Sequence, residues 1–273
     1  SIIPFWVLCY HYICRICFED KIFMETPLVS IILPLYNSEA YLTETIDSIV
    51  KQTYANWELL ITDDCSTDNG YDLAKIYSVT DERIILSKLA KNSGAGCARN
   101  HSIKLAKGRY IAFCDSDDQW TPNKLEAQVK FMIKNEYYFT CSGFDVVDES
   151  GDYIETIHPP GQLTFKKLLL NNYVGCLTAI YDAKALGKIY MSEIRNRQDW
   201  VLWLGILKRI NIAHTINEPL AIYRKRSGSI SSNKRKMIRF HWRVYYDEMN
   251  FGLLRSFFCL LNNMLFHFVK RHL

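Results

Sequence analysis

Hydrophobic positions in this chain fall into two alternating rhythms. Val29 to Leu35 is an apolar, β-branched run closed by Pro34, which reads as a buried strand. Asn37 or Ser38 stands where a helix cap belongs, and Ala40, Leu42, Ile46, Ile49 and Val50 then recur near the helical period. The alternation repeats. Trp57 to Thr62 predicts a second strand, followed by a helix to about Tyr77. Arg83 to Ser87 predicts a third, and the helix that opens within residues 92–100 ends near Gly108. Tyr110 to Cys114 predicts a fourth, and Thr121-Pro122 supplies a cap and first-turn pair for a helix to about Lys134.

Four strand–helix units in succession predict an α/β fold, a mostly parallel sheet with helices on both faces. In such sheets ligands bind beyond the carboxyl ends of the strands. Three predicted strands end there in polar clusters: Tyr36-Asn37, Asp63-Asp64 and Asp115-Ser-Asp117-Asp118. Past Tyr137 the rhythm is less regular, with strands near 138–147, 176–181 and 211–222 and a helix after Asp199. At the far end Leu253, Phe257, Leu260, Leu261, Met264, Leu265 and Phe268 recur at helical spacing ahead of Lys270, Arg271 and His272. That is an amphipathic helix with a basic end, which either docks on the domain's own core or lies on a membrane.

Composition changes this picture in three respects. With 273 residues, 49% hydrophobic and 23% charged, the chain suffices for one large domain. The expected division is an extension over 1–25, a catalytic domain over 26–232 and a basic helical tail over 233–273. Residues 224–273 hold eleven Lys and Arg against two Asp and Glu, which leaves the remainder mildly acidic. A basic tail points to an anionic neighbour, a membrane or a phosphate-bearing substrate, and no zinc finger or RNP sequence supports nucleic acid. Nine cysteines, an odd number, form no disulfide framework, and Cys14 and Cys17 lack a second pair at zinc spacing. Reduced thiols in the cytoplasm fit best. Ile2 to Phe18 is apolar but broken by His11 and Arg15, and no small-residue cleavage site follows. Met24 reads as a start, with residues 1–23 upstream of it; the alternative is a short membrane anchor.

Chemistry gathers at a few places. Asp115 and Asp117, two residues apart past a buried strand, can turn toward one hard cation such as Mn²⁺ or Mg²⁺, which bridges readily to diphosphate. A solvated acidic loop is the plain alternative. Pro34, Tyr36 and Glu39 form a turn without the glycine-rich dinucleotide fingerprint, suited to a base and ribose rather than a cradled phosphate. Asp64 is placed to accept a hydrogen bond from a pyrimidine N–H. Equally, Tyr36 could be packing and Glu39 a charge favoured by the helix dipole. Arg99 follows Gly94 and Gly96, placed either to approach a diphosphate or to sit on the surface. Asp199 is either a cap for the helix it opens or a general base for an acceptor hydroxyl. Tyr223 to Ser231 reads as a basic, hydroxyl-rich loop, solvated or facing phosphate.

Taken in order, Val-Ser-Ile-Ile-Leu-Pro-Leu-Tyr-Asn, Gln52-Thr-Tyr-Ala-Asn-Trp-Glu, Asp63-Asp-Cys-Ser-Thr-Asp, Asn-Ser-Gly-Ala-Gly-Cys-Ala-Arg-Asn and Gly-Arg-Tyr-Ile-Ala-Phe-Cys-Asp-Ser-Asp-Asp resemble the family 2 glycosyltransferases of GT-A fold. The resemblance runs from Val29 to about Ser231 and is greatest to bacterial enzymes of teichuronic acid, capsule and O-antigen synthesis. It implies a Rossmann-like sheet and an inverting transfer from a nucleotide-sugar donor, a UDP-sugar, to a surface-polysaccharide acceptor; were that acceptor lipid-linked, the tail helix would hold the enzyme beside it. Pro34, Tyr36, Glu39 and Asp64 would hold the nucleotide, Arg99 the diphosphate region, and Asp115, Ser116 and Asp117 the donor through Mn²⁺ or Mg²⁺. Asp199 would be the base. Gln198 stands where the family often has Glu, and Arg226 where it often has His. The enzyme would work in the cytoplasm, peripheral to the inner face of the membrane. A nucleotidyltransferase, which usually opens with a Gly-rich loop carrying Arg and Lys, and an inactive sugar-nucleotide binder are the rival readings.

Overall fold

The computed structural model describes residues 26–226 and 234–272. The expected extension over 1–25, the Cys14/Cys17 pair and residues 227–233 lie outside them. The elements in chain order are β1 (Val29–Leu35), α1 (Glu39–Val50), β2 (Trp57–Asp63), α2 (Gly70–Thr80), β3 (Ile84–Lys88), α3 (Ala95–Leu105), β4 (Tyr110–Phe113) and β5 (Gln119–Trp120). They continue with α4 (Lys124–Asn135), β6 (Phe139–Val147), β7 (Tyr153–Ile157), β8 (Gln162–Thr164), α5 (Phe165–Leu170), β9 (Ile180–Asp182) and α6 (Ala183–Leu186). The last are α7 (Gln198–Ile210), β10 (Ile212–Arg224), α8 (Lys234–Arg243), a π turn at Val244–Glu248, and α9 (Leu253–His272).

One sheet organises the body, in the order β3-β2-β1-β4-β9-β6-β10-β5, with β7 on β6 and β8 on β10. From β3 to β4 every pair is parallel. Beyond β4, the short β9 runs antiparallel to both its neighbours, and β6 pairs parallel with β10. The continuous apolar runs of β1 and β2 follow from burial on both faces. Ile32, Leu60 and Ile111 join the core on one side, while Ile31, Leu33, Leu59, Ile61 and Ala112 join the core on the other. Alternate side chains of each strand thus feed opposite layers.

Several expectations change in detail. The short strands expected around 211–222 are one long strand, β10, whose register shifts on either side of Pro219, a residue with no N–H to give the ladder. Tyr223 and Arg224 therefore belong to a strand and not to the loop. The strand near 176–181 is a 3₁₀ turn at Cys176–Thr178 followed by β9. Thr121 does not cap α4: its N–H goes to the Leu220 carbonyl of β10, its hydroxyl lies within reach of that carbonyl and of Asn123 Oδ1, and Asn123 takes the cap position.

Within α4, Lys124 is wholly buried. Its Nζ donates to Gln128 Oε1 and lies 4.4 Å from the centre of the Trp120 ring, with the buried thiols Cys114 and Cys141 near enough to act on its charge. Among the described residues no carboxylate pairs with it, and burial pulls its ammonium down to about 7.

The C-terminal segment is part of the same body. Val244, Tyr245, Met249 and Phe251 are buried in the core with Trp200 and Trp203. The Tyr245 hydroxyl donates to the Leu169 carbonyl, and Asn263 Nδ2 donates to the Leu170 carbonyl, so the π turn and α9 are fastened to the end of α5. Polar Ser256 and Asn263 face inward on α9, while Leu253, Leu254, Phe257, Phe258, Leu261, Met264, Leu265 and Phe268 are exposed. Among the described residues no helix is long and apolar enough to cross a membrane.

Candidate active site

A cavity of about 680 Å³ opens beyond the carboxyl ends of β1, β2 and β4. It is lined by Pro34, Tyr36, Asp64, Arg99, Asp115, Ser116, Asp117 and Asp199, eight of the nine residues singled out in the sequence. The ninth, Glu39, does not line it. Its carboxylate accepts from the backbone and side-chain amides of Asn69, and its own N–H donates to Asp68, so it ties α1 to the loop ahead of α2.

The first two strand ends form the cavity's wall. Asp64 is buried and accepts from the N–H groups of Ser93 and Gly94 at 2.6 and 2.7 Å. Each of its oxygens keeps a further lone pair. Tyr36 is exposed above, and Ser38 Oγ joins the turn to the carboxylate loop by accepting from Ser116 Oγ at 2.8 Å.

Residues 115–118 are a tight turn in which the Asp118 N–H donates to the Asp115 carbonyl. Asp115 and Asp117 retain about 31% and 23% of their side-chain exposure. Asp118 is fully buried and accepts the Arg224 N–H, which anchors the turn to β10. Burial and the Asp115 charge push the Asp117 carboxyl above its usual range, and Arg226 pulls it back in part. Burial, with Asp117 and Asp115, raises Asp118 well above that range. Arg99, expected as either a phosphate ligand or a surface group, is buried and pairs with Asp115. Burial opposes its charge, yet Asp115 and Asp199 outweigh burial and hold the guanidinium more firmly protonated.

The far wall is the start of α7. The residue at its cap position is Arg197, in the left-handed conformation at φ 64°, not Asp199. Asp199 sits in the first turn, and its Oδ2 accepts from Asn172 Nδ2 at 3.1 Å. Its carboxylate is therefore held in the cavity rather than spent on a cap. The loop ahead of α7 is clamped to α3 by Asn100, whose amide both donates to and accepts from the Met191 backbone. Gln198 lies against Gly96: a Cβ there would come within 2.1 Å of its Nε2. The bare glycine is what lets α3 and α7 meet.

Arg195, Arg197, Cys176 and Met237 also line the cavity, and sequence reasoning gave none of them a role at the site; Arg224, expected in the basic loop, lines it from the end of β10. With Arg99 and Arg226 they place five arginines beside four carboxylates. The Nε groups of Arg99, Arg197 and Arg224 are buried without a hydrogen-bond partner. A cleft so furnished attracts an anion, while its paired acids accept a hard cation. The signal for the missed Arg195 and Arg197 was only their density at 195–197; nothing local fixes their direction.

Among the described residues no three His, Cys, Asp or Glu side chains converge as a closed metal site. Asp115 and Asp117 nevertheless fit Mn²⁺ or Mg²⁺, since such ions are often held by one or two carboxylates with substrate phosphates and water completing the shell.

Comparison with known proteins is consistent with this geometry. The model of "Glycosyl transferase family 2" matches residues 30–188. TuaG of Bacillus subtilis (strain 168), named for teichuronic acid biosynthesis, is 41% identical over 236 residues, which cover 86% of this chain and 94% of that one. WfgD of Escherichia coli, named a UDP-Glc:α-D-GlcNAc-diphosphoundecaprenol β-1,3-glucosyltransferase, is 39% identical over 250 residues, 91% of this chain and 96% of that one. In structure, TarS 1–349 of S. aureus, solved in complex with UDP-GlcNAc, superposes with a TM-score of 0.67 at 22% identity, covering 88% of this chain and 72% of that one. That last likeness is one of fold.

Proposed function

The chain belongs to glycosyl transferase family 2 and is a glycosyltransferase of GT-A fold, and on that footing we propose that it transfers a sugar, with inversion, from a UDP-sugar to a hydroxyl of a lipid-linked surface glycan. One observation carries the proposal: the Asp115/Asp117 pair, five arginines and Asp199 share a single cavity at the carboxyl edge of the parallel strands.

In this mechanism Pro34, Tyr36 and Asp64 hold the uridine, with Glu39 acting through Asn69 to fix the turn. Asp115 and Asp117, supported by Ser116, would hold Mn²⁺ or Mg²⁺, which when bound stabilises charge on the departing diphosphate as a Lewis acid. Arg99 and Arg226 meet the phosphate oxygens. Asp199 takes the proton of the acceptor hydroxyl as its oxygen bonds to the anomeric carbon and the bond from that carbon to the UDP oxygen breaks. The acceptor reading is supported by the diphosphoundecaprenol named for WfgD and the teichuronic acid named for TuaG. A panel of UDP-sugars incubated with the protein and Mn²⁺ is expected to yield UDP from at least one donor. A panel that yields none would overturn the donor assignment.

A lipid-linked acceptor requires the enzyme to work at a bilayer, and the outward apolar face of α9 suits that place. The basic residues of the tail complement anionic lipids. The full chain is expected to sediment with anionic vesicles, less so at high salt. Leu254→Glu with Phe258→Glu alters only exposed positions and should weaken partition by at least about tenfold, from the apolar area lost. Undiminished sedimentation of that variant would remove α9 from the contact.

A further inference from the structure

The two carboxylates offered to a cation are already paired within the protein. Asp115 is held by Arg99, and Asp117 Oδ2 accepts from Arg226 Nη1 at 3.1 Å. A divalent ion arriving alone meets carboxylates whose charge guanidinium groups already answer, and no third acidic, histidine or cysteine side chain among the described residues compensates.

The arginines around the pair are not equivalent. Arg224 is fixed: it is buried, its Nη2 donates to Glu44 at 2.6 Å, its Nη1 donates to the Glu149 carbonyl, and its N–H goes to Asp118. Arg99 is buried beside Asp115. Arg226 has Asp117 and the face of Tyr41, at 5.2 Å, and its side chain is about 36% exposed. Held by one 3.1 Å contact and reached by solvent on the arginine side, this pair is the most readily exchanged of those around the acids. Guanidinium also matches phosphate oxygens at least as well as a carboxylate.

Building on the proposed donor reading, we infer that Arg226 is an exchange residue. It neutralises Asp117 in the empty cavity and passes to the donor's diphosphate when the cation takes Asp117. Each partner that leaves one ion finds another, so the exchange conserves paired charge. Cation and nucleotide then bind as a unit, and the free cation binds poorly. By linkage each raises the affinity of the other by the same factor.

The test is binding, not turnover: Mn²⁺ titrated by the EPR signal of the free ion, with and without UDP, and UDP titrated by calorimetry with and without Mn²⁺. For the wild type, saturating UDP should tighten Mn²⁺ by about tenfold or more. Arg226→Ala should bind Mn²⁺ in the absence of UDP about tenfold more tightly than the wild type, with the mutual enhancement shrinking to match. Arg226→Lys keeps the charge and should leave the free-cation affinity low, which separates exchange from a mere structural effect. If Arg226→Ala binds Mn²⁺ alone no more tightly than the wild type, the inference is wrong while the donor reading stands. If the wild type binds UDP neither with nor without Mn²⁺, the donor reading itself fails.

Discussion

Asp199→Asn is expected to bind UDP as the wild type does and to transfer sugar about 10²- to 10⁴-fold more slowly. The substitution preserves shape. The asparagine carbonyl can still accept from Asn172, so α7 keeps its start, and a lost first-turn charge costs only about 0.3–1 kcal/mol. What disappears is the carboxylate that receives the acceptor's proton. Calorimetric titration with UDP, paired with kcat for UDP release in the presence of acceptor, separates the two effects. Unaltered binding with lowered kcat marks an interaction made in the transition state. An unchanged kcat would take Asp199 out of proton transfer.

The second large effect concerns stability. Lys124 is expected to make the fold more resistant to denaturant as pH rises above about 7. An unfolded lysine holds its proton up to about pH 10.4, whereas the buried one releases it near 7. Between those values the unfolded chain binds more protons, so stability climbs with pH by at most about 1.4 kcal/mol per unit, and below the lower value the burden is fully present. The thiols of Cys114 and Cys141, which burial pushes up, act in the opposite sense above about pH 8.5. The wild-type gain should therefore show between about pH 7 and 8.5 and then reverse, because above that range two thiols oppose one lysine. Lys124→Met removes the charge but leaves Gln128 Oε1 without its donor, which costs about 1–3 kcal/mol. Its absolute stability is thus a poor readout. The difference between the two proteins in urea, followed from pH 7 to pH 10, cancels the thiols and isolates the lysine. A difference that does not vary with pH would mean that Lys124 is charged in the fold.

The two predictions stand on groups of very different legibility. The parallel half of the sheet can be read directly, because each of its strands is buried on both faces and each following helix carries one apolar stripe. β5 and β8, two and three residues long, and the antiparallel partners of β6 carry no such rhythm. They exist because distant segments complete a ladder, a relation no local window contains. Thr121-Pro122 had the composition of a cap, and the Leu220 carbonyl claimed Thr121 instead. The strand-end acids were legible because polar residues rarely follow a buried strand without cause. Asp199 was ambiguous on spacing and gained its base reading only through resemblance, since what separates a cap from a base is the Asn172 amide twenty-seven positions away. Arg195 and Arg197 had no legible role, because direction in a loop is set by its far attachments, here the grip of Asn100 on Met191. Lys124 carried no sequence signal of burial, since what encloses it, Trp120, Gln128 and the thiols of Cys114 and Cys141, is assembled by the fold.

The tail helix turns polar Ser256 and Asn263 toward the body and Phe257, Phe258 and Phe268 outward; Asn263 bolts it to the carbonyl at the end of α5, and Tyr245 bolts the turn before it to the neighbouring carbonyl. A helix attached in this way is a rigid keel rather than a tether. Resting on a bilayer, it would set the tilt of the molecule and hold the cleft at one height above the headgroups. A glycan anchored in that bilayer would then be selected by its stature as well as by its terminal sugar.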